Sequence, residues 1–189
     1  MKINKFVASI VCVSAFFASC SNKTAEQNQI KYTHTSRVDG DAFHFFQVVA
    51  SKVPYEVGYA SHVNTVGASS KAKAVATEIE KVYGDLFPQL ESIATEFYVE
   101  IPLRGAAKFV TDEGTVDAQD STEVAPVVVF NEESYLKHTV EEQALVIEQF
   151  KRLSRNTNKK LRDFAVEKLP ALEELYVSSG GVIEKEDHH

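Results

Sequence analysis

A chain of 189 residues with 20 basic and 27 acidic side chains has a formal net charge of −7, enough length for one domain core and a surface that repels nucleic acid and anionic headgroups. Its two cysteines, Cys12 and Cys20, lie at the start, and its one methionine is the initiator. These facts exclude a disulfide framework beyond residue 20 and haem with a Met or Cys axial ligand.

The first stretch, residues 1–19, is a secretory signal. Lys2 and Lys5 precede an apolar run from Phe6 to Phe17, followed by Ala18, Ser19 and Cys20. The run is too short to span a bilayer as a helix. Its end resembles a bacterial lipoprotein lipobox, with Phe17 where Leu is commoner. The resemblance implies that Cys20 is acylated and becomes the mature N-terminus. Several acyl chains at about 0.8 kcal/mol per buried methylene make a firm anchor. Loss of residues 1–19 would leave 18 basic and 27 acidic residues, a net −9. Residues 20–38 are the lipidated Cys and a polar tether. The expected address is the bacterial envelope, at an outer membrane facing the periplasm or the surface. The expected partners are that membrane and an envelope protein, and no nucleic acid.

A domain then runs over 39–178. Asp39-Gly40-Asp41 starts a helix over about 41–66, in which Phe43, Phe46, Ala50, Val53, Val57 and Ala60 form an apolar stripe. Pro54 predicts a kink or a division into two shorter helices. Ser69 or Ser70 caps a second helix, about 70–100, with Val75, Ile79, Val82, Leu86, Leu90, Ile93 and Phe97 on one face and Gly84 and Pro88 within. An insertion, 101–130, has an acidic middle, and Lys108–Thr111 and Val124–Phe130 could pair as a short β-hairpin or pack across the bundle end.

Asn131 caps a third helix, 131–154, with Phe130 and Tyr135 as a hydrophobic staple and Leu136, Val140, Ile147, Phe150 and Leu153 along its stripe. Asn156-Thr157-Asn158 turns the chain into a fourth, 158–178, with Leu161, Phe164, Ala165, Leu169, Leu172 and Tyr176. Gly180-Gly181 opens a polar tail, 179–189. The fold class is all-α, an up-down four-helix bundle.

Particular residues carry a resemblance. They are Phe43, Glu56-Val57 and Ala60; Ser70, Val75-Ala76 and Leu90; Phe130, Tyr135 and Phe150; and Phe164-Ala165 with Leu169-Pro170-x-Leu172. Over nearly all of the domain the chain resembles a ferritin-like family of bacterial envelope proteins known only as a domain of unknown function, family 4142. The resemblance implies a ferritin-like bundle with an exported or membrane-anchored life. Where that family carries inward histidines, this chain has Val82-Tyr83, Gln143 and Leu175, which leaves Glu56 as the inward polar group.

Ferritin-like di-iron sites need Glu-x-x-His pairs on two helices. Within the four predicted helices no glutamate is followed three residues on by histidine; Glu56 leads to Tyr59 and Glu80 to Tyr83. No metal site and no cofactor are expected. Residues 112–123 begin with Asp and end with Glu, but Gly114, Val116 and Asp117 occupy calcium-loop positions that need ligands or a turn glycine. His34, His44, His62, His138, His188 and His189 read as surface or boundary residues.

One cluster stands out, because Gln143 falls on the third stripe and Glu56 adjoins the first. With Tyr59 or Tyr83 they could form a buried polar cluster, as a hydrogen-bonded core network or a ligand pocket. No catalytic residue is indicated. The sequence predicts a non-enzymatic binding or structural module. The alternatives are a metal- or redox-linked envelope stress protein and a binder of small apolar ligands, for which the 12 phenylalanines could line a cavity. The oligomeric state is left open.

Overall fold

The computed structural model describes residues 36–101, 106–110 and 130–183. The signal segment, Cys20 and nearly all of the tether lie outside the described residues. So do the acidic stretch 112–123 and the last six positions.

Four helices form: α1 (Gly40–Thr65), α2 (Ser70–Glu96), α3 (Glu132–Leu153) and α4 (Lys159–Ser178). Each starts where a short polar side chain can satisfy an amide that has no partner within its helix. Asp39 accepts from Ala42 N at 2.8 Å, Ser69 from Ala72 N at 3.2 Å and Asn131 from Ser134 N at 2.8 Å, while Asn158 accepts from Lys160 N and Leu161 N. The division at Pro54 does not occur. α1 runs through it as one helix, as α2 runs through Pro88 and α4 through Pro170.

The ends are equally local. α2 stops at Glu96, short of the predicted 100, because Tyr98 takes a left-handed backbone (φ 57°). Tyr98 N then donates to Thr95 O and Val99 N to Ala94 O, the two bonds of a Schellman turn. A residue with a Cβ pays about 1–2 kcal/mol there, and Arg37, whose guanidinium sits 5.0 Å from the Tyr98 ring centroid, offsets part of it. α4 closes the same way at Gly180 (φ 106°), with Gly181 N donating to Tyr176 O at 2.8 Å.

The order of the helices corrects the up-down expectation. The Glu132 carboxylate accepts from Ser69 N and Oγ at 3.1 and 2.6 Å, so α2 and α3 start at the same end. Asn156 bonds Asp39 at 2.8 Å, placing the start of α1 beside the end of α3. Lys160 pairs with Glu96, the end of α2 with the start of α4. The sense is therefore up, down, down, up. α1 and α4 sit diagonally, each flanked by α2 and α3, and every adjacent pair is antiparallel. The end of α2 and the start of α3 therefore lie at opposite ends of the bundle, about 40 Å apart for a 27-residue helix, and 35 residues, 97–131, join them. A connection of that length is what such an order requires.

The described residues contain no strand. Of the expected hairpin, Lys108–Val110 and Phe130 are irregular and the rest lies outside the described residues. Residues 106–110 run against α1, where a Cβ on Gly58 would come within 3.1 Å of Phe109 Cβ. Glycine at 58 is thus what admits the returning chain. Gly58→Leu is expected to lift Phe109 and to speed tryptic cleavage after the exposed Lys108 severalfold, with helix content by circular dichroism unchanged.

The hydrophobic core is continuous, and Phe45, Phe46 and Phe150 fill it at the end where α1 starts and α3 stops. Phe45 meets Phe150 edge to face at 4.9 Å, and Phe46 at 5.3 Å. The buried faces are turned from the predicted stripes. In α1, Ala42, Phe45, Val49 and Glu56 are buried while Phe43 and Val57 move outward; in α2 Tyr83 is buried and Val82 is not. In α3 the buried column is Tyr135, Thr139, Gln143, Val146 and Phe150, with Leu136 and Val140 at the boundary; in α4 Leu175 replaces Tyr176.

Candidate functional site

The turned faces bring polar groups together midway along the bundle. α1 carries Lys52, Tyr55, Glu56 and Tyr59 on successive turns, α2 contributes Tyr83, and α3 contributes Tyr135, His138, Thr139, Glu142 and Gln143 at helical spacing. Phe109, from the returning connection, stacks on Tyr59 with centroids 4.6 Å apart and planes at 12°.

Glu56 is the centre. It is 2% exposed, and its Oε1 lies 2.8 Å from His138 Nε2. His138 keeps a third of its side chain in contact with water. The hydrogen bond to Glu56 raises the His138 pKa above the usual imidazole value; burial opposes this, the Glu56 and Glu142 charges add to it, and Lys52 subtracts. Beside this pair Lys52 Nζ stands 2.6 Å from Glu142 Oε2, a close ion pair whose angles are not those of a straight hydrogen bond.

Four phenols lie near enough to Glu56 to feel its charge. Tyr55, Tyr59, Tyr83 and Tyr135 all have raised pKa values, from burial first and then, among other charges, from Glu56. The Thr139 hydroxyl is near enough to Tyr135 to offset part of that rise, yet the two do not reach hydrogen-bond geometry. Tyr59 meets Tyr135 edge on at 4.9 Å.

Of the four residues the sequence singles out, Glu56, Tyr59 and Tyr83 are all buried, and the charge of Glu56 acts on both phenols. Gln143 is buried as well, but its amide turns to α4, donating from Nε2 to Ser179 Oγ at 3.0 Å. Ser179 passes its own proton to Leu175 O at 2.9 Å. Thus Gln143 ties α3 to the end of α4. Cys20, the predicted lipidation site, lies outside the described residues.

His138 is the residue that the sequence conceals, together with Tyr135, Thr139 and the Lys52–Glu142 pair. His138 reads as a boundary histidine because it stands next to the apolar pair Leu136 and Val140. A signal existed. Stepping back from Phe150 by four, three, four and four residues gives Val146, Gln143, Thr139 and Tyr135, a strict helical face that places His138 beside it.

Among the described residues no three His, Cys, Asp or Glu side chains gather as a metal-holding group. Neither a family model, a curated protein nor a solved structure matches this chain.

The Glu56–His138 pair makes stability depend on pH. Because folding raises the His138 pKa, the pair contributes fully below the unfolded imidazole pKa of about 6.5. The contribution is lost as pH rises through the folded value. Urea midpoints are therefore expected to fall from pH 6 toward pH 9, and His138→Gln should flatten that slope. A wild-type midpoint independent of pH over this span would refute the linkage.

Proposed function

We propose that this chain is a lipid-anchored protein of the bacterial cell envelope whose ferritin-like helical bundle is a non-enzymatic binding or structural module. The observation that carries the address is the sequence to Cys20: two lysines, a short apolar run, and Ala18-Ser19 before a cysteine. Residues 21–35 are mostly polar, the composition of a tether. No described helix is long and apolar enough to cross a membrane. The up, down, down, up order with one long crossover is consistent with a ferritin-like bundle.

The chemistry at the centre supports a non-enzymatic role. A general base or nucleophile needs a pKa near the working pH and access to a reacting atom. Glu56 is occupied by His138, and the phenols around it are held further toward their protonated form than free tyrosine. A metal- or redox-linked role would draw on Glu56 and these tyrosines. It needs further ligands that the described residues do not bring to Glu56.

The test is a fatty-acid label. Cells expressing the full chain with a clickable palmitate analogue are expected to show label on the protein, mature mass beginning at Cys20, and recovery in the membrane fraction. Cys20→Ala should abolish the label and leave residues 1–19 uncleaved at that site. An unlabelled wild type cleaved elsewhere would overturn the anchored reading.

A further inference from the structure

Where the connection from α2 to α3 meets α1, a single ring holds it. Among the described residues no hydrogen bond or ion pair joins 106–110 to a helix, and Ala107 and Lys108 are exposed. Phe109 instead lies in a slot on α1, stacked on Tyr59 at 4.6 Å, edge on to Tyr55 at 5.7 Å and tilted against His62 at 5.4 Å. Gly58 gives it room, since a Cβ there would meet Phe109 Cβ at 3.1 Å. The same two tyrosines also meet His138 of α3, Tyr55 at 6.2 Å and Tyr59 at 5.8 Å between centroids. One imidazole and one phenyl ring therefore share two supports.

We propose that Phe109 is a pH-sensitive latch: protonated His138, held by Glu56, fixes Tyr55 and Tyr59 where they grip Phe109, and loss of the His138 proton releases residues 106–110 from α1. Two features of the geometry carry it. Glu56, Glu142, Lys52 and protonated His138 sum to zero charge in two close pairs, 2.8 Å from Glu56 to His138 and 2.6 Å from Lys52 to Glu142. Deprotonation leaves one uncompensated carboxylate on a residue that is 2% exposed, a charge tolerated only where water reaches it. Glu56 stands one residue from Tyr55 and three from Tyr59 in α1, so a shift that admits water to the carboxylate moves the rings beside it. The second feature is the bond itself. A hydrogen bond between two charged partners is about twice as strong as a neutral one, so the imidazole on which both tyrosines pack is held less firmly once it is neutral.

The bond to Glu56 raises the His138 pKa; burial opposes this, the Glu56 and Glu142 charges add to it, and Lys52 subtracts. The latch is therefore closed below the ordinary imidazole value of about 6.5 and opens as pH rises through the higher, folded one. The neighbouring phenols, Tyr55 and Tyr59 of α1, Tyr83 of α2 and Tyr135 of α3, have raised pKa values and keep their protons over this range. Glu80 of α2, which acts on Tyr135, is bonded by Asn64 at 2.8 Å, and Lys108 of the connection is exposed. His62, in contact with Phe109 itself, is the rival sensor. Nothing in the latch depends on acylation of Cys20.

The chain has no tryptophan, so Phe109→Trp places a single fluorescent reporter in the slot. In the full chain in detergent, acrylamide quenching of that fluorescence is expected to rise severalfold from pH 6 to pH 9, with helix content by circular dichroism unchanged. Tryptic cleavage of the unsubstituted chain after Lys108, scaled at each pH to a free peptide spanning the same site, should rise in parallel. His138→Gln should remove the pH dependence from both measurements, Glu56→Gln should move it to lower pH, and His62→Gln should leave it in place. Quenching and cleavage that stay constant with pH would overturn the proposal, as would a change that survives His138→Gln or vanishes with His62→Gln. Loss of helix content over the same range would mean global unfolding instead of release, and would overturn it too.

Discussion

Phe150→Ala is expected to lower the free energy of unfolding by about 3–5 kcal/mol, the usual cost of emptying a large aromatic site in a packed core. Phe150 is 0% exposed, and its ring is met edge to face by Phe45 of α1 at 4.9 Å and by Phe164 of α4 at 5.9 Å. It is thus the ring through which α1, α3 and α4 share one core. The loss combines transfer of the ring to a void with the forfeited edge contacts. Against a total of about 5–15 kcal/mol for a domain of this size, it removes a large share. Urea unfolding of both proteins, followed by far-ultraviolet circular dichroism, checks it. Phe164→Ala, at a half-buried position, should cost less than half as much. Equal losses at the two sites would mean that Phe150 is not the shared centre.

The second large effect concerns the sign of one substitution on two backgrounds. His138→Ala leaves the Glu56 carboxylate buried with its partner gone, and is expected to cost about 3 kcal/mol at neutral pH. That is the low end for breaking a buried pair, because His138 keeps a third of its side chain in water. Glu56→Gln in the wild type should cost about 1 kcal/mol, since the amide still hydrogen-bonds the imidazole. In the His138→Ala background the same Glu56→Gln should stabilise, because it removes a charge that has lost its compensation. A double-mutant cycle by urea titration reads the reversal directly. Should Glu56→Gln destabilise both backgrounds equally, the 2.8 Å contact would carry no energetic coupling.

The helix starts were legible because capping is local. Asp39, the Ser69-Ser70 pair, Asn131 and Asn158 are each recognisable from a few residues on either side, and the structure uses Asp39, Ser69, Asn131 and Asn158. The end of α2 was not. Nothing about Tyr98 as a residue type announces a left-handed backbone; the Schellman bonds and the contact with Arg37 place it there. Likewise, Pro54 suggested a break, but one lost hydrogen bond is small beside the burial of α1 along its whole length.

The site was half legible. Glu56 and Gln143 could be named because a polar residue on or beside an apolar stripe must find partners. His138, Tyr135 and Thr139 were passed over because the aliphatic neighbours Leu136 and Val140 are the more hydrophobic choice at each turn. A buried face is chosen by the whole helix against its neighbours, and Val146, Phe150 and Leu153 set its direction. With those three inward, the 3.6-residue period carries Gln143, Thr139 and Tyr135 inward as well.

By itself, then, the sequence determined the number, starts and amphipathic character of the helices, because caps and periodicity act over a few residues. It determined the acidic charge too, which is a sum over side chains. Only the tertiary structure decided that α2 and α3 run in the same sense and that the connection returns past Gly58. It also decided that the buried Glu56 carboxylate meets the His138 imidazole. Those are choices between arrangements nearly equal in local energy, and they are settled by contacts between residues far apart in the chain, as between Glu56 and His138.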